Sequence, residues 1–540
     1  MHPAPQLAAD YYLDNFKKLT EHALTWYADI LTPNELSWIE RFSVLPKQSQ
    51  CLLVRLYSRR GSWFRSDKLE YTEIPQLKDA LTQLQQQNFI ELNGLISEQD
   101  LAASLLTKPE VLECFPQLDR KAPKHQLVAS LTDTPFTRFE SLNFDCIELL
   151  NSELISVLLT LFFANTHQDL SQFVLDDLGL HQFEQYPLSK ERRFFTSRDE
   201  IDQLLTLSQL SKAYWLCNQK DKANIDALLE ALSQVLPAVS EHSYIARKQF
   251  KLINDLARDL ERFNDFPLAI EWFEKSPLPP SRERQARIYD KLNDNDGFSR
   301  IVHNMLASPE NESELEVAIK LEQRLLRKQG QKVPRAKKPK TKEHHLLLDL
   351  TQQRVELAAM EHFIKAGYQA FYGENVLLNG LFGLAFWDVV FADVEGAFIN
   401  AYQHRPLDLY HSDFSQKRKV MFEKAFKRLT QNGFEHMMQT YRDKFGLANP
   451  FVHWNGLSQE LLDQACKHIP IDTLLALFKI MMSDLKLYRN GMPDLIVFKD
   501  GGFEWIEVKG PGDKLQDNQW RWIKQFKRLG IPFSVCWVNQ

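Results

Sequence analysis

Along most of this chain apolar residues recur at spacings of three and four, as in Leu204, Leu207, Leu210 and in Leu228, Leu232, Val235, with polar residues between them. That repeat turns one stripe of an α-helix toward a core. It continues, with few strand-like interruptions, to about residue 480. Over 195–330 the pattern reads helix, short turn, helix, and the run from Asn254 to Phe273 pairs two helices across Asn264 to Pro267. Hairpins of this kind stack into solenoids. Two readings stand for this stretch, a tetratricopeptide-like array and an irregular helical bundle.

Residues 10–150 mix helical stretches with a basic, aromatic-rich segment, Arg55-Leu-Tyr-Ser-Arg-Arg-Gly-Ser-Trp-Phe-Arg65. A helical Leu77-Lys-Asp-Ala-Leu-Thr-Gln-Leu84 then leads into a short strand at Phe89-Ile-Glu-Leu92, an order similar to a winged-helix module. Between Arg327 and Lys342 the chain is rich in Lys and Arg, holds Pro334 and Pro339 and has no apolar periodicity, which reads as a solvated linker. The expected division is therefore an N-terminal region 1–190, a helical-hairpin domain 191–330, a basic linker 331–345 and a C-terminal domain 346–540. The linker is either a plain connector or a loose segment adding nonspecific phosphate affinity.

The last fifty residues differ in kind, because period-2 patterns replace helical ones. Asp494-Leu-Ile-Val-Phe498, a Lys-Asp-Gly-Gly turn and Phe503-Glu-Trp-Ile-Glu-Val-Lys509 predict a β-hairpin. Side chains alternate along a strand, so Glu507 and Lys509 project to one side and Val508 to the other. Asp494, directly after Gly491-Met-Pro493, opens the first strand and could stand beside Glu507 across the ladder or at its splayed end. Hard divalent cations such as Mg²⁺ prefer carboxylate oxygens and waters, and an adjacent Lys can orient water and counter charge on a reacting phosphate. Two carboxylates and an amine thus suit phosphodiester hydrolysis, although an ordinary solvated strand face and a turn-capping Asp494 would also account for them.

Composition narrows the surroundings more than the chemistry. Lys plus Arg number 65 and Asp plus Glu 71, for a net charge of −6, so any anionic partner must meet a local basic patch. Six cysteines without a Cys-x-x-Cys pair suggest neither a disulfide framework nor a zinc finger, and point to a reducing cytoplasm. The N-terminus lacks a secretion signal, and the most apolar window, Leu377 to Phe398, is interrupted by Asp388, Asp393 and Glu395, so no membrane span is expected. His344, His345, His436, His453 and His468 have no zincin spacing, and no Gly-x-x-x-x-Gly-Lys-Ser/Thr loop indicates an ATP-driven step.

Met492-Pro-Asp-Leu-Ile-Val-Phe498 followed by Glu507-Val-Lys509 resembles the PD-(D/E)xK nuclease signature. Downstream, Lys509-Gly-Pro-Gly-Asp-Lys-Leu515 with Gln519, Trp520 and Trp522 resembles its VRR-NUC subgroup. Further upstream, Glu374-Asn-Val-Leu-Leu-Asn-Gly-Leu-Phe-Gly-Leu-Ala-Phe-Trp-Asp-Val-Val-Phe391 and Pro406-Leu-Asp-Leu409 are similar to the Fanconi-associated nuclease family. The segment Arg55 to Tyr71 looks like that family's N-terminal region, and Leu105 to Leu112 with Lys121 to Val128 is similar to its SAP-type DNA-binding helices. The resemblance thus covers nearly the whole chain.

The resemblance implies a multidomain, mainly α protein with a C-terminal α/β PD-(D/E)xK (restriction-endonuclease-like) nuclease domain. It implies a Mg²⁺- or Mn²⁺-dependent DNA nuclease that cuts near 5′ ends or 5′ flaps of branched double-stranded DNA, in interstrand crosslink repair, as a cytoplasmic, nucleoid-associated bacterial-type member. Asp494 and Glu507 would hold metal, helped by the Val508 carbonyl and by Glu374, which matches a helix-borne family Glu. Without the resemblance, Glu374 reads as a residue favoured at a helix start. Lys509 would orient the attacking water, and Gln519 would hydrogen-bond within the site or merely bound the core. Because both carboxylates must ionise, activity should rise toward mildly alkaline pH. No Cys/His set matches the ubiquitin-binding zinc finger of larger eukaryotic members, so no ubiquitin partner is expected.

At the other end Arg55, Arg59, Arg60, Arg65 and Lys68 lie near Tyr57, Trp63 and Tyr71. Cations beside stackable rings suit DNA, though the same rings could pack a core and leave the arginines merely exposed. Lys514, Arg521, Lys524 and Lys527 read as an exposed helix face or as phosphate contacts. Two alternatives to the 5′-flap nuclease remain: a catalytically silent scaffold that binds DNA junctions, and a nuclease acting on RNA or four-way junctions.

Overall fold

The computed structural model describes residues 8–166, 168, 182–235, 239–334 and 338–539. The chain divides into two compact units, Met1–Leu180 with Phe195–Ser208, and His181–Phe194 with Gln209–Gln540.

In the first unit, helices Tyr11–Tyr27, Pro33–Val44, Lys47–Tyr57 and Leu77–Gln86 pack around an aromatic centre of Phe16, Trp38, Phe42, Tyr57 and Phe89. The second helix begins as its sequence dictates: Thr32 and Glu35 form a reciprocal capping box and Pro33 opens the first turn. Three short antiparallel strands, β1 (Trp63–Arg65), β2 (Ile90–Leu92) and β3 (Cys146–Leu149), form a sheet in the order β1-β3-β2. The small helices Lys108–Cys114 and Lys124–Ala129 close a separate core with Phe115, Phe136 and Phe144, against which Trp63 packs.

The second unit begins with helical hairpins. Helices Ser243–Arg262, Phe266–Glu274, Ser281–Lys291, Asn295–Ala307 and Glu312–Lys328 each pack on the next, and the first, third and fifth of them also touch in succession. Contacts between consecutive and alternate helices are what stacked hairpins make. Asn264 and Asn293 take left-handed backbone (φ 62° and 58°) at two of the reversals, a conformation asparagine tolerates better than most residues.

The C-terminal sheet has the order β4-β8-β7-β6-β5, from β4 (Lys342–Leu347), β5 (Gln369–Tyr372), β6 (Leu495–Lys499), β7 (Gly502–Lys509) and β8 (Phe533–Asn539). β5, β6 and β7 are antiparallel neighbours, whereas β8 runs parallel to both β7 and β4. The expected hairpin is present: Asp500 and Gly501, both at positive φ, make the two-residue reversal that matches strand twist. Leu495, Val497, Ile506 and Val508 pack on one face against Ala359 and Phe363 of helix Val355–Lys365. Ile496, Phe498 and Trp505 pack on the other, in a large core shared with helices Leu377–Ala385, Ile471–Ser483 and Asp517–Leu529. Among the described residues no helix is long and apolar enough to cross a membrane, and the apolar window at 377–398 is part of this core.

Several expectations are corrected. The boundary at 190 is displaced, because Tyr186 stacks on Phe398 at 3.8 Å and Glu184 accepts from the Trp387 indole (2.6 Å), which ties 182–194 to the second unit. Helix Arg198–Leu216 starts in the first unit and ends in the second. The end of the supposed linker 331–345 is strand β4, an edge strand whose polar side chains hide its nature. Residues 335–337 of that linker lie outside the described residues.

Arg65 is the sharpest correction. Only 9% exposed, it pairs with Asp67 (2.9 Å) and Glu110 (2.8 Å), donates to the Leu105 carbonyl (3.1 Å) and lies over the Phe144 ring. It joins β1 to helix Lys108–Cys114 and has no charge to spare for a phosphate. Replacing Arg65 with Ala is expected to destabilise the first unit by about 2 kcal/mol, less than the roughly 3–5 kcal/mol of a fully buried broken pair because Asp67 and Glu110 can rehydrate. Arg60→Ala, on an exposed side chain, should shift stability by less than about 0.5 kcal/mol. Denaturant unfolding checks both, and equal midpoints for the two variants would refute the assignment.

Candidate active site

The site forms where the hairpin splays. The β5 and β6 ladders end at the Tyr372–Leu495 pair, and one step on the Gly373 amide donates to the Asp494 carbonyl at 2.8 Å. That bond holds the turn bearing Glu374 beside Asp494, which lies 120 residues later and immediately precedes β6 instead of opening it. Likewise, one step beyond the Leu495–Ile506 pair, Asp494 comes opposite Glu507, and its Oδ2 accepts from the Val508 amide at 2.8 Å. Val508 turns its side chain into the core on the other face, so Asp494, Glu507 and Lys509 share one face, as alternation predicts.

Glu507 is 1% exposed, and its Oε1 receives both Lys509 Nζ at 2.6 Å and the Gln519 side-chain amide. Gln519 has a second function, because its Oε1 accepts from the Gln516 amide and so caps helix Asp517–Leu529. One amide therefore fixes both the helix start and the carboxylate. Gly491 lets that helix come close: it sits at φ 86°, and a Cβ there would lie 2.9 Å from the Asn518 backbone.

Glu374 stands on the turn before helix Leu377–Ala385 and not on the helix, which corrects the helix-borne expectation. Its carboxylate accepts from the Tyr372 hydroxyl (2.5 Å) and the Asn375 amide (3.2 Å). Asn375, at φ 53°, also accepts from the Met492 amide at 3.3 Å, a second tie between this turn and the segment that leads through Asp494 into β6. Sequence reasoning passed over Tyr372 and Asn375. Tyr372 had a faint signal, lying two positions before Glu374 at the end of a strand. Glu356, on helix Val355–Lys365, adds its negative charge to the field at Asp494, and no pattern in the sequence pointed to it.

Burial dominates the electrostatics. It raises Asp494 to about 6, with Glu374 and Glu356 pushing the same way and the Val508 amide and Lys509 pulling back. Burial raises Glu507 to about 8, reinforced by the charge on Asp494 and opposed by Lys509. Near neutral pH this pair therefore retains a proton, because burial penalises ionising both groups and the nearby carboxylates add to that penalty more than one ammonium removes. A divalent cation would relieve that repulsion, and the available donors are hard oxygens throughout, with no thiol or imidazole among them. Among the described residues no three acidic, His or Cys side chains form a ready metal cluster. Glu374 is held by Tyr372 and Asn375, and Glu507 by Lys509 and Gln519.

The N-terminal candidates separate by exposure. Arg59, Arg60 and Lys68 are exposed. Arg55 is bound to Glu73 (2.7 Å) and lies over the Tyr12 ring, so its charge, like that of Arg65, is used internally. Tyr57 and Trp63 pack into cores, and Tyr71 lies beneath Arg55 and Arg59. On the C-terminal helix Arg521 pairs with both oxygens of Glu316 at 2.8 Å, which removes it from the free basic face.

Comparison with known proteins agrees along the chain. Residues 433–540 match the VRR-NUC domain, residues 10–91 the family described as FAN1, HTH domain, and residues 100–139 the Fanconi anemia-associated nuclease SAP domain. A Fanconi-associated nuclease 1 homolog of Pseudomonas aeruginosa is 32% identical over 98% of this chain and 96% of its own length. One from Oryza sativa subsp. japonica is 25% identical over 99% of this chain and 63% of its own length. The crystal structure of paFAN1 bound to 2-nt 5′-flap DNA with gap superposes with a TM-score of 0.86 at 32% identity, over 99% of this chain and all of that one.

The raised carboxyls make a linked stability prediction. Asp494, normally near 3.8, and Glu507, normally near 4.5, bind protons more tightly folded than unfolded. Without metal, their contribution to stability is therefore present at low pH and lost as pH rises through about 6 and about 8. Asp494→Asn keeps the acceptor for Val508 and removes the charge. In EDTA at pH 8.5 it should be more stable than wild type by about 3 kcal/mol, the free energy that corresponds to raising Asp494 from 3.8 to about 6, with little difference near pH 4. Melting curves across pH check this, and a variant destabilised equally at both extremes would refute it.

Proposed function

Because the chain belongs to the Fanconi-associated nuclease family, we propose that it hydrolyses phosphodiester bonds near the 5′ end or 5′ flap of branched double-stranded DNA and releases 5′-phosphorylated products. It depends on a divalent metal, for which Mg²⁺ or Mn²⁺ is the proposed ion, and it serves interstrand crosslink repair at the nucleoid in the cytoplasm. The observation that carries this reading is the cluster of Asp494, Glu507 and Lys509 on one sheet face with Glu374 held beside it.

Asp494, Glu507 and Glu374, with the Val508 carbonyl, would hold the ion. When bound, it supplies positive charge that makes water more acidic and offsets the charge gathering on the attacked phosphate. The chain's own residues do the positioning. Lys509, anchored by Glu507 at 2.6 Å, donates to the attacking water and fixes its lone pair toward phosphorus. Gln519 keeps Glu507 from swinging away, and the Val508 amide does the same for Asp494. Tyr372 and Asn375 steady Glu374 on its turn. Exposed Arg59, Arg60 and Lys68 contribute phosphate contacts.

Purified protein should cut a 5′-flap duplex in Mg²⁺ or Mn²⁺, stop in EDTA and be faster at pH 8 than at pH 6. Asp494→Ala and Lys509→Ala should each slow single-turnover cleavage by about a hundredfold or more. Flap binding without cleavage in either metal would favour a silent scaffold, and faster cleavage of four-way junctions or RNA would redirect the substrate.

A further inference from the structure

Next to the proposed catalytic face lies a pocket of about 490 Å³, within the ~300–1,000 Å³ usual for small-ligand sites. Its walls are the segment 338–341 ahead of β4, the loop after β7 and the first turn of helix Asp517–Leu529. Two indoles, Trp520 and Trp537, are half-buried in it, and three lysines, Lys338, Lys340 and Lys514, stand exposed around it. Among the described residues no carboxylate lies within ion-pair distance of these three ammonium groups, and Glu343 at the rim is 3.4 Å from His345. The surplus charge here is positive, in a chain whose total is −6.

Position relates the pocket to the cutting site. In the β7–β8 register Trp537 pairs with Lys509, and since Cys536 and Val538 point into the opposite core, Trp537 shares the face of Lys509. Adjacent strands are about 5 Å apart. Trp520 directly follows Gln519, whose side chain holds Glu507. Lys338 Nζ lies 4.6 Å from the centre of the Trp520 ring, so cation and ring already meet, and the Trp520 indole N–H has no acceptor among the described residues.

Flat rings beside unpaired ammonium groups are what a base and its phosphate require. We propose that this pocket holds one unpaired nucleotide of the DNA strand being cut, its base against Trp520 and Trp537 and its phosphate among Lys338, Lys340 and Lys514. The proposal rests on the nuclease reading, since only a strand at Glu507 and Lys509 would deliver its neighbouring nucleotide here. It assigns a role to the basic run 338–340 that neither a plain connector nor diffuse phosphate attraction provides.

The experiment uses the full chain in Ca²⁺, with 2-aminopurine at successive positions of a 5′-flap strand, and Kd values for that flap and for a nicked duplex without an unpaired nucleotide. One position beside the cleavage point should show a fluorescence change with wild type that Trp537→Ala removes. The doubly exposed variant K338E/K340E should weaken flap binding about tenfold more than nicked-duplex binding. Equal weakening for both substrates, or a response at no position by a wild-type protein that cuts the flap in Mg²⁺, would overturn the pocket alone. A wild type that cuts no DNA in Mg²⁺ or Mn²⁺ would overturn the nuclease reading and the pocket with it.

Discussion

Two carboxylates confined to one buried sheet face, with a single lysine to balance them, set the terms for the C-terminal half of this chain. Asp494 and Glu507 are 8% and 1% exposed, and burial is the largest cause of both raised pKa values. An arrangement that unfavourable in isolation persists only where neighbours over-determine it. Here they are backbone and amide groups. The Val508 amide holds Asp494, Gln519 holds Glu507, and the Gly373–Asp494 bond brings the Glu374 turn alongside. None of these partners adds positive charge, so the repulsion is retained and a divalent cation bound there would lower the free energy of the protein itself.

The hairpin was legible because its information is local. Alternation over 494–498 and 503–509 assigns faces, and Asp-Gly supplies the reversal. What lies on the site face follows from period 2 alone. Glu374 was not legible in that way: its placement depends on one strand pairing between residues 120 positions apart, and only a family resemblance pointed to it. Glu356 lay beyond even that. Strand β4 escaped because an edge strand with polar side chains has no apolar alternation to read. The stacked hairpins of 243–328 lay between, since helix period was plain while the succession of contacts that distinguishes a solenoid from a bundle is tertiary.

The basic segments show why counting cations misleads. Arg55 and Arg65 are as prominent in sequence as Arg59 and Arg60, yet Glu73, Asp67 and Glu110 consume the first two. Arg521 is consumed in the same way by Glu316, from a helix two hundred residues earlier. An arginine's planar fork matches a carboxylate in two places, so a well-placed Glu captures it more firmly than a lysine. Such pairs are structural joints, and their loss would be read in stability before any effect on DNA.

This sorting bears on how a chain with net charge −6 can attract a polyanion at all. With a screening length of about 8 Å at physiological salt, a phosphate responds to the charges in its immediate neighbourhood and hardly to the total. What counts is which cations remain without a carboxylate, and where they stand. Lys338, Lys340 and Lys514 gather beside two indoles one strand from Lys509, where positive charge and stacking surface can act on the same nucleotide. The carboxylates of the site face the opposite problem, since a phosphate approaching Asp494 and Glu507 directly would be repelled. Local cations beside the site and a divalent ion within it would answer that repulsion from two sides, and an acidic protein would thereby bring an acidic substrate to an acidic centre.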